Sequence, residues 1–372
     1  MKYKIIHDPV HGSIKIKGAI LELLHSPEIQ RLRDIKQLGL TNLVFPGANH
    51  TRFEHSLGVY YLTNKICAEL NIEKEVLNAA AVLHDSGHLP FSHTFEYLSR
   101  IYLKKDHIDL ACENVLKLED LLEKYNIDPK EVIRIIKCEE EGYKSQIISG
   151  DLDVDRIDYL LRDSHYTGVA HGIIDVERIL KTIEIRDGVL GINKKGVLAV
   201  EGMLIARDLM YTSVYFHKTA RICESMLGRA VESILEDEKI EEIVKMTDSE
   251  LLCLLKNSEG FSKEIYRRLK YRDLFKVVAY IDIDSDFEKR KELEREICER
   301  ANIPENYCIV DIPSFKNPEK LEIKVFDEEI KNFEEYMILK KSKPIEYPTI
   351  VSTPEKYIEK VKRVVEDYEK YT

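Results

Sequence analysis

Up to about Thr182, hydrophobic and polar positions mostly recur with helical spacing, and only short stretches carry strand-like alternation. Tyr3–Ile6 and Ser13–Ile16 read as two short strands around a turn. Ser26, with Pro27 at the first helical position and Gly39 just past the end, brackets a helix. Thr51 opens an amphipathic helix running to about Leu70. An apolar helix from Asn78 to His84 follows, and Gly87 and Pro90 stop it. Asp151 to Asp163 again has helical period: Asp155, Tyr159 and Arg162 share one face, while Val154, Ile157 and Leu161 turn toward a core. From Ile183 to Val200 the pattern changes to strands joined by Asp187-Gly188 and Asn193-Lys194-Lys195-Gly196 turns. A long helix is expected from about Gly202 to Asp237, carrying Arg207, Tyr211, Tyr215, His217 and Lys218. Short helices follow, with strands near Ile309–Ile312 and Leu321–Phe326 and a terminal amphipathic helix on Tyr357, Val361, Val365 and Tyr368. The expected fold is mainly α: a helical bundle with small β-hairpin elements over 1–240, then a mixed α+β lobe over 241–372.

Composition narrows the classes. At 372 residues the chain can bury a large core and form two lobes. No apolar run approaches the ~20 residues of a membrane span, and the N-terminal residues, with His7, Asp8 and His11, hold no signal-peptide stretch. A cytoplasmic protein without membrane contact is expected. Seven cysteines without a Cys-x-x-Cys pair read as reduced, mostly packed thiols, neither a disulfide framework nor a zinc knuckle. Abundant lysine and glutamate without tryptophan is a bias of heat-adapted chains. A formal net charge of −11 argues against general nucleic-acid binding, which draws its affinity from neutralised phosphates. A nucleotide can still bind where cations concentrate. Arg52, Arg156, Arg162, Arg207, His217, Lys218 and Arg221 are the candidates; Arg52 and Arg156 stand within three residues of a candidate metal ligand.

The densest chemistry lies between Leu83 and His93, where His84, Asp85, His88 and His93 occupy ten residues. One such histidine is usually a packed or capped residue; four groups this close suit a divalent metal of borderline hardness, Mn, Fe, Co, Ni or Zn. His55, near the start of its helix, and Asp155 extend the set. An acidic helix face is usually only solvated, but the order His, His-Asp, Asp supplies two nitrogens and two carboxylates in separate packets that a bundle can bring together.

His55, the His84-Asp85 pair and Asp155 resemble the four-ligand signature of HD-domain phosphohydrolases. The likeness extends to Asp8-Pro9-Val10-His11-Gly12, to Gln30–Gly39, to Val44-Phe45-Pro46-Gly47-Ala48, to Arg52–Gly58 and to His84–His93. These runs resemble one branch, the deoxynucleoside triphosphate triphosphohydrolases, which includes the animal enzyme with sterile-alpha-motif and HD domains and the bacterial dGTP triphosphohydrolases. The resemblance covers roughly residues 1 to 230. It implies an HD-domain bundle and a metal-dependent hydrolase that splits a (deoxy)nucleoside triphosphate to nucleoside and tripolyphosphate by water attack at the α-phosphorus. The alternatives are another HD phosphohydrolase (a nucleotide monophosphatase, a cyclic-nucleotide phosphodiesterase or an alarmone hydrolase) and a nucleotide-sensing protein whose catalysis has decayed. Those other branches usually follow His-Asp with an acidic pair; Ser86-Gly87-His88 stands here instead.

A metal on His55, His84, Asp85 and Asp155 would leave two octahedral positions for water and a phosphate oxygen, with Mg able to accompany the substrate. His93, with Glu96 three residues on, would be held in one tautomer and protonate the leaving group. The resemblance also puts His88 and His107 in the catalytic pocket, although the family has Glu after that histidine and this chain has Ile108-Asp109. It further implies Gln37, Leu38 and Tyr215 against the sugar, and Arg52, Arg156 and Tyr159 on the phosphates. Asp163 would lie near the 3′-hydroxyl and Arg207 over the base. Phe216 replaces the animal enzyme's glutamine, so base preference does not transfer. A regulatory nucleotide site is half retained, in Gln30, Arg33, His217 and Lys218, with His25 and His7 standing where that enzyme has aspartate and asparagine. A homodimer or homotetramer is the implied assembly.

Overall fold

The computed structural model describes residues 3–139, 142–235, 238–281, 287–313, 321–339 and 347–369. Its body is built on three helices. Arg52–Leu70 starts on a reciprocal cap: the Thr51 hydroxyl accepts from Glu54 N–H while the Glu54 carboxylate accepts from Thr51 N–H. It ends at Asn71 in the left-handed region, φ 52°. Glu75–Leu83 is buried from Leu77 onward and packs along it. Its three alanines release little energy on burial, compared with about 1.5–3 kcal/mol for a leucine or valine; they let the two backbones approach. Val154–Thr167 begins on the Asp153 side chain, ends at Gly168 and packs across Arg52–Leu70.

Around these helices lie small sheets. β1 (Tyr3–Asp8) and β2 (Gly12–Lys17) form an antiparallel hairpin. β3 (Ile183–Arg186) and β4 (Val189–Asn193) form a second. β5 (Lys276–Ile281) and β6 (Ile309–Asp311) flank a central antiparallel strand, and Phe287–Ala301 connects them. β7 (Lys324–Phe326) pairs parallel with β4 and antiparallel with β8 (Ile330–Asn332). β9 (Thr349–Thr353) is the central strand, and Ile358–Glu369 ends the described chain. The chain after residue 240 thus adds two strands to the sheet of β3 and β4 as well as forming a sheet of its own. The side chain of Tyr368 lies outside the described residues.

Three hydrophobic clusters result. The first joins the three main helices to β2, β3, β4 and β7. The second joins Leu89, Phe91 and Phe95 to the helices Lys218–Glu232, Asp248–Asn257 and Gly260–Lys270. The third packs β5, β6 and β9 against the two C-terminal helices. Leu83 belongs to the first cluster and Leu89 to the second, so the segment between them runs along the seam.

Some expected elements differ. The helix after Ser26 is α only over Pro27–Gln30 and tightens to a 3-10 turn over Arg31–Asp34, with no side-chain cap from Ser26. Tertiary pairing overrides propensity here: Lys36 bridges Thr51, and Arg31 reaches carbonyls across the seam. Gly39 lies beyond that bridge at φ +49°, where an added Cβ would press on the Phe91 carbonyl. Val197–Val200 are helical, not strand, because their helical period continues into Met203 and Leu204; the helix runs Val197–Met210. The expected long helix breaks at a π-helical turn, Tyr211–Tyr215, and restarts at Lys218 with the His217 ring accepting from Thr219 N–H. That bulge lets the Tyr215 hydroxyl donate to Asp163 Oδ2 at 2.7 Å.

Candidate metal centre and active site

Helix ends deliver the metal candidates. His55 sits in the first turn of Arg52–Leu70, His84 caps the C-terminus of Glu75–Leu83, and Asp155 lies in the first turn of Val154–Thr167. His55 Nε2 lies 2.8 Å from Asp155 Oδ1 and 3.6 Å from Asp85 Oδ2. His84 Nε2 lies 3.3 Å from Asp85 Oδ1 and 3.9 Å from Asp155 Oδ1. Metal–ligand bonds of ~2.1 Å put neighbouring octahedral ligands about 3 Å apart, so these separations are close to those around one cation.

Three observations test the fit. His84 Nδ1–H donates to the Ala81 carbonyl at 2.9 Å, leaving its buried Nε2 a lone pair with no hydrogen-bond partner among the described residues. The carbonyl end of Glu75–Leu83 favours positive charge at that spot. Burial disfavours an imidazolium at His55, yet bonds to Asp155 and Asp158 outweigh it and push its pKa up to about 10. Such a field stabilises positive charge, and the donor set of two imidazoles and two carboxylates fits a divalent transition ion.

Asp158 was not among the sequence candidates, yet it organises the centre. Its Oδ2 accepts from His55 Nδ1–H at 2.8 Å, and its Oδ1 accepts from His11 Nε2–H. This carboxylate–histidine pair turns His55 Nε2 toward the other ligands. Arg162, fully buried, donates to Asp158 and to Asp8. The cost of burying Asp158 is overcome chiefly by Arg162, with His11 and His55, and its carboxyl stays well below the usual range. Arg162 is therefore a structural cation and not one of the pocket. The signal available in sequence was the Asp158–Arg162 spacing of a helical ion pair, and the Asp8-Pro9-Val10-His11 run that closes on it.

A second cluster adjoins the first through Asp85, whose Oδ1 lies 3.1 Å from His88 Nε2. The imidazoles of His88, His93 and His107 gather within ring distances of 4.2–5.0 Å, His88 stacked on His107. Glu96 accepts from His93 Nδ1–H at 2.6 Å and from His107 Nδ1–H at 3.0 Å, while Arg100 adds a third donor. These bonds leave Nε2 of His93 and of His107 as the atom able to meet a substrate. Burial, then the Arg52 charge, holds the pKa of His88 well below its ordinary value. His93 lines the open side with 60% of its side chain exposed. Partial desolvation still lowers its pKa against the pull of Glu96, with His107 and Arg52 adding to the drop.

The remaining candidates separate. Arg52 donates to Asp85 at 2.8 Å and to the Ser92 hydroxyl at 3.0 Å, tying the metal segment to the His93 turn. Arg156 bonds Asp151. Gln37 is buried with Oε1 unpartnered among the described residues, and its backbone N–H donates to the His50 carbonyl. Leu38 is half-buried beside the main cluster. Asp163 takes His50 and Tyr215 on its two oxygens, and Tyr159 meets Tyr215 edge-on at 6.2 Å. Arg207 is buried over Tyr211 with its Nε unpartnered among the described residues. Gln30 and Arg33 bond each other, and Arg33 lies 3.7 Å over the Phe53 ring. His217 and Lys218 start a different helix. Arg221 is spent on Asp311 and the Pro348 carbonyl. Among the described residues, no helix is long and apolar enough to cross a membrane.

Comparison with known proteins agrees with this layout. A model of the HD domain matches residues 52–163, and one of the HD-associated region matches residues 174–370. An uncharacterized protein of Methanocaldococcus jannaschii is 40% identical over 76% of this chain and 61% of its own. The deoxynucleoside triphosphate triphosphohydrolase SAMHD1 of Homo sapiens is 30% identical over 74% of this chain and 55% of its own. The chain thus spans little more than half the length of either relative. A crystal structure of a hypothetical protein from Aquifex aeolicus superposes with a TM-score of 0.78 at 31% identity, covering 97% of this chain and 99% of that one.

Proposed function

The chain belongs to the HD-domain family of phosphohydrolases, and on that premise we propose that it hydrolyses (deoxy)nucleoside triphosphates to nucleoside and tripolyphosphate. The observation that carries the reading is one carboxylate, Asp85, within reach of both a cation site and a histidine cluster braced by Glu96. Phosphoryl transfer needs both together: positive charge at phosphorus and a proton for the departing oxygen.

His55, His84, Asp85 and Asp155 would hold one ion of the Mn, Fe, Co, Ni or Zn class, with Mg able to accompany the substrate. When bound, such an ion polarises a phosphoryl oxygen and lowers the pKa of water. The chain's own residues do the rest. Glu96 fixes Nδ1–H of His93, so Nε2 faces the pocket and, in the imidazolium form, donates its proton to the 5′-oxygen as the bond from α-phosphorus to that oxygen breaks. The triphosphate brings negative charge that counters the lowered pKa of His93. His107, its Nδ1 also held by Glu96, turns Nε2 to a phosphate oxygen, and His88, whose Nε2 lies on Asp85, stands beside it as a further phosphate contact. Arg52 and Arg156, with Tyr159, cover the phosphates; Gln37, Leu38, Tyr215 and Asp163 take the sugar, and Arg207 the base. The similarity to the human enzyme supports the substrate class. By the resemblance, the protein works as a homodimer or homotetramer, and its scattered cysteines suit the cytoplasm.

Incubation with Mn and each dNTP or GTP, followed by phosphorus NMR, tests the reaction. Tripolyphosphate with free nucleoside is expected. Orthophosphate alone, or turnover confined to monophosphates or cyclic nucleotides, would move the chain to another HD reaction.

A further inference from the structure

We propose that Asp248 and Arg31 are a positioning pair by which the HD-associated region sets the shape of the His88–His93 turn and of the loop before Gln37. The proposal rests on the reading that these histidines serve the reaction.

Asp248 opens the helix Asp248–Asn257, far in sequence from every motif, and is buried. Its carboxylate meets no cation at hydrogen-bond distance among the described residues. Instead Oδ1 accepts from Phe91 N–H at 2.6 Å and Oδ2 accepts from Lys36 N–H at 3.0 Å. One carboxylate therefore clamps two loops of the pocket: Phe91 stands two residues before His93, and Lys36 one before Gln37. Arg31 answers from the other side. It donates to the carbonyls of Val244, Lys245 and Met246, which lead into Asp248, and to the carbonyl of His88 at 2.8 Å. Among the described residues neither side chain lies within hydrogen-bond distance of an opposite charge; both bond backbone around the catalytic turn.

That turn needs holding. Phe91 and Ser92 are consecutive non-glycine residues at φ +56° and +61°, a conformation that persists only where the surroundings over-determine it. Three groups do so. Asp248 takes the Phe91 N–H, the Ser92 hydroxyl donates to Lys36 O at 2.7 Å, and Arg52 donates to that hydroxyl. With Asp248 removed, Phe91 N–H and Lys36 N–H lose their shared acceptor, and the turn can relax toward ordinary φ values. His93 would then leave the leaving group while the metal ligands stay in place. A glue between two lobes would not need to touch both loops of the pocket.

The test is Asp248→Ala beside Asp248→Asn, each with wild-type protein loaded with Mn. Asp248→Ala should lower kcat about 10- to 100-fold with KM and bound metal nearly unchanged, and Asp248→Asn, which keeps one acceptor, should fall between. Wild-type kcat in Asp248→Ala would overturn the proposal, as would a loss that follows metal content or melting alone. If wild-type protein turns over no nucleotide, the substrate reading fails separately. Histidine imidazole nitrogen shifts in Mg-loaded, [15N]His-labelled protein then decide: His88 and His93 should move in Asp248→Ala while His25 and His171 stay, and unmoved His88 and His93 signals would overturn it.

Discussion

His55 Nδ1 lies 2.8 Å from Asp158 Oδ2, and this bond decides which face of the imidazole the metal centre receives. Replacing Asp158 by Asn keeps an acceptor but removes the charge that raises the basicity of the ring. Metal affinity should fall about 10- to 100-fold, read by calorimetric titration with Mn. Unchanged affinity would show that His55 is oriented by packing alone.

Gly58 lies under the same carboxylate. A Cβ there would overlap Asp158 and come within 2.5 Å of Arg162 Nη2, both fully buried. Gly58→Ala should cost about 1–3 kcal/mol in urea unfolding, with weakened metal binding. Full stability with intact binding would contradict the crowding.

Glu96 braces two imidazoles, and their bonds, against the cost of burial, hold its carboxyl well below the usual range. Glu96→Gln should lower kcat about 10²- to 10⁴-fold, the range of general acid catalysis, with metal content unchanged in elemental analysis. A mild loss would remove the His93 dyad from the mechanism.

Glu224 carries a stability prediction independent of the reaction. Burial, then the Asp311 charge, pushes its pKa up to about 8 against the pull of Arg221. A carboxyl whose pKa is raised on folding contributes stability below its unfolded pKa, and that contribution is lost as pH rises through the folded value. Glu224→Gln stays neutral throughout. Its melting temperature relative to wild type should therefore climb between pH 5 and pH 9, and a flat difference would contradict the shift.

Much of this was legible in the sequence for local reasons. Thr51 and Glu54 form the cap their spacing allows, and His84-Asp85 ends an apolar helix as the glycine and proline after it require. Gathering His55, His84 and Asp155 follows from placing each at a helix end. What stayed hidden depends on distant segments. Asp158 reads as one more acid on a charged face until His11 and Asp8 fold onto it. The π turn at Tyr211–Tyr215, which brings Tyr215 to Asp163, is encoded by no local propensity. Arg52 and Arg162 look alike as cations, and only tertiary pairing separates one at the pocket from one in the core.

Turnover in 18O-labelled water tests the central claim most directly. Attack at the α-phosphorus with cleavage to the 5′-oxygen predicts one label per turnover in tripolyphosphate and none in the nucleoside, with no reaction in His84→Ala/Asp85→Ala. Label in the nucleoside hydroxyl, label in released orthophosphate, or undiminished turnover by that variant would contradict the account.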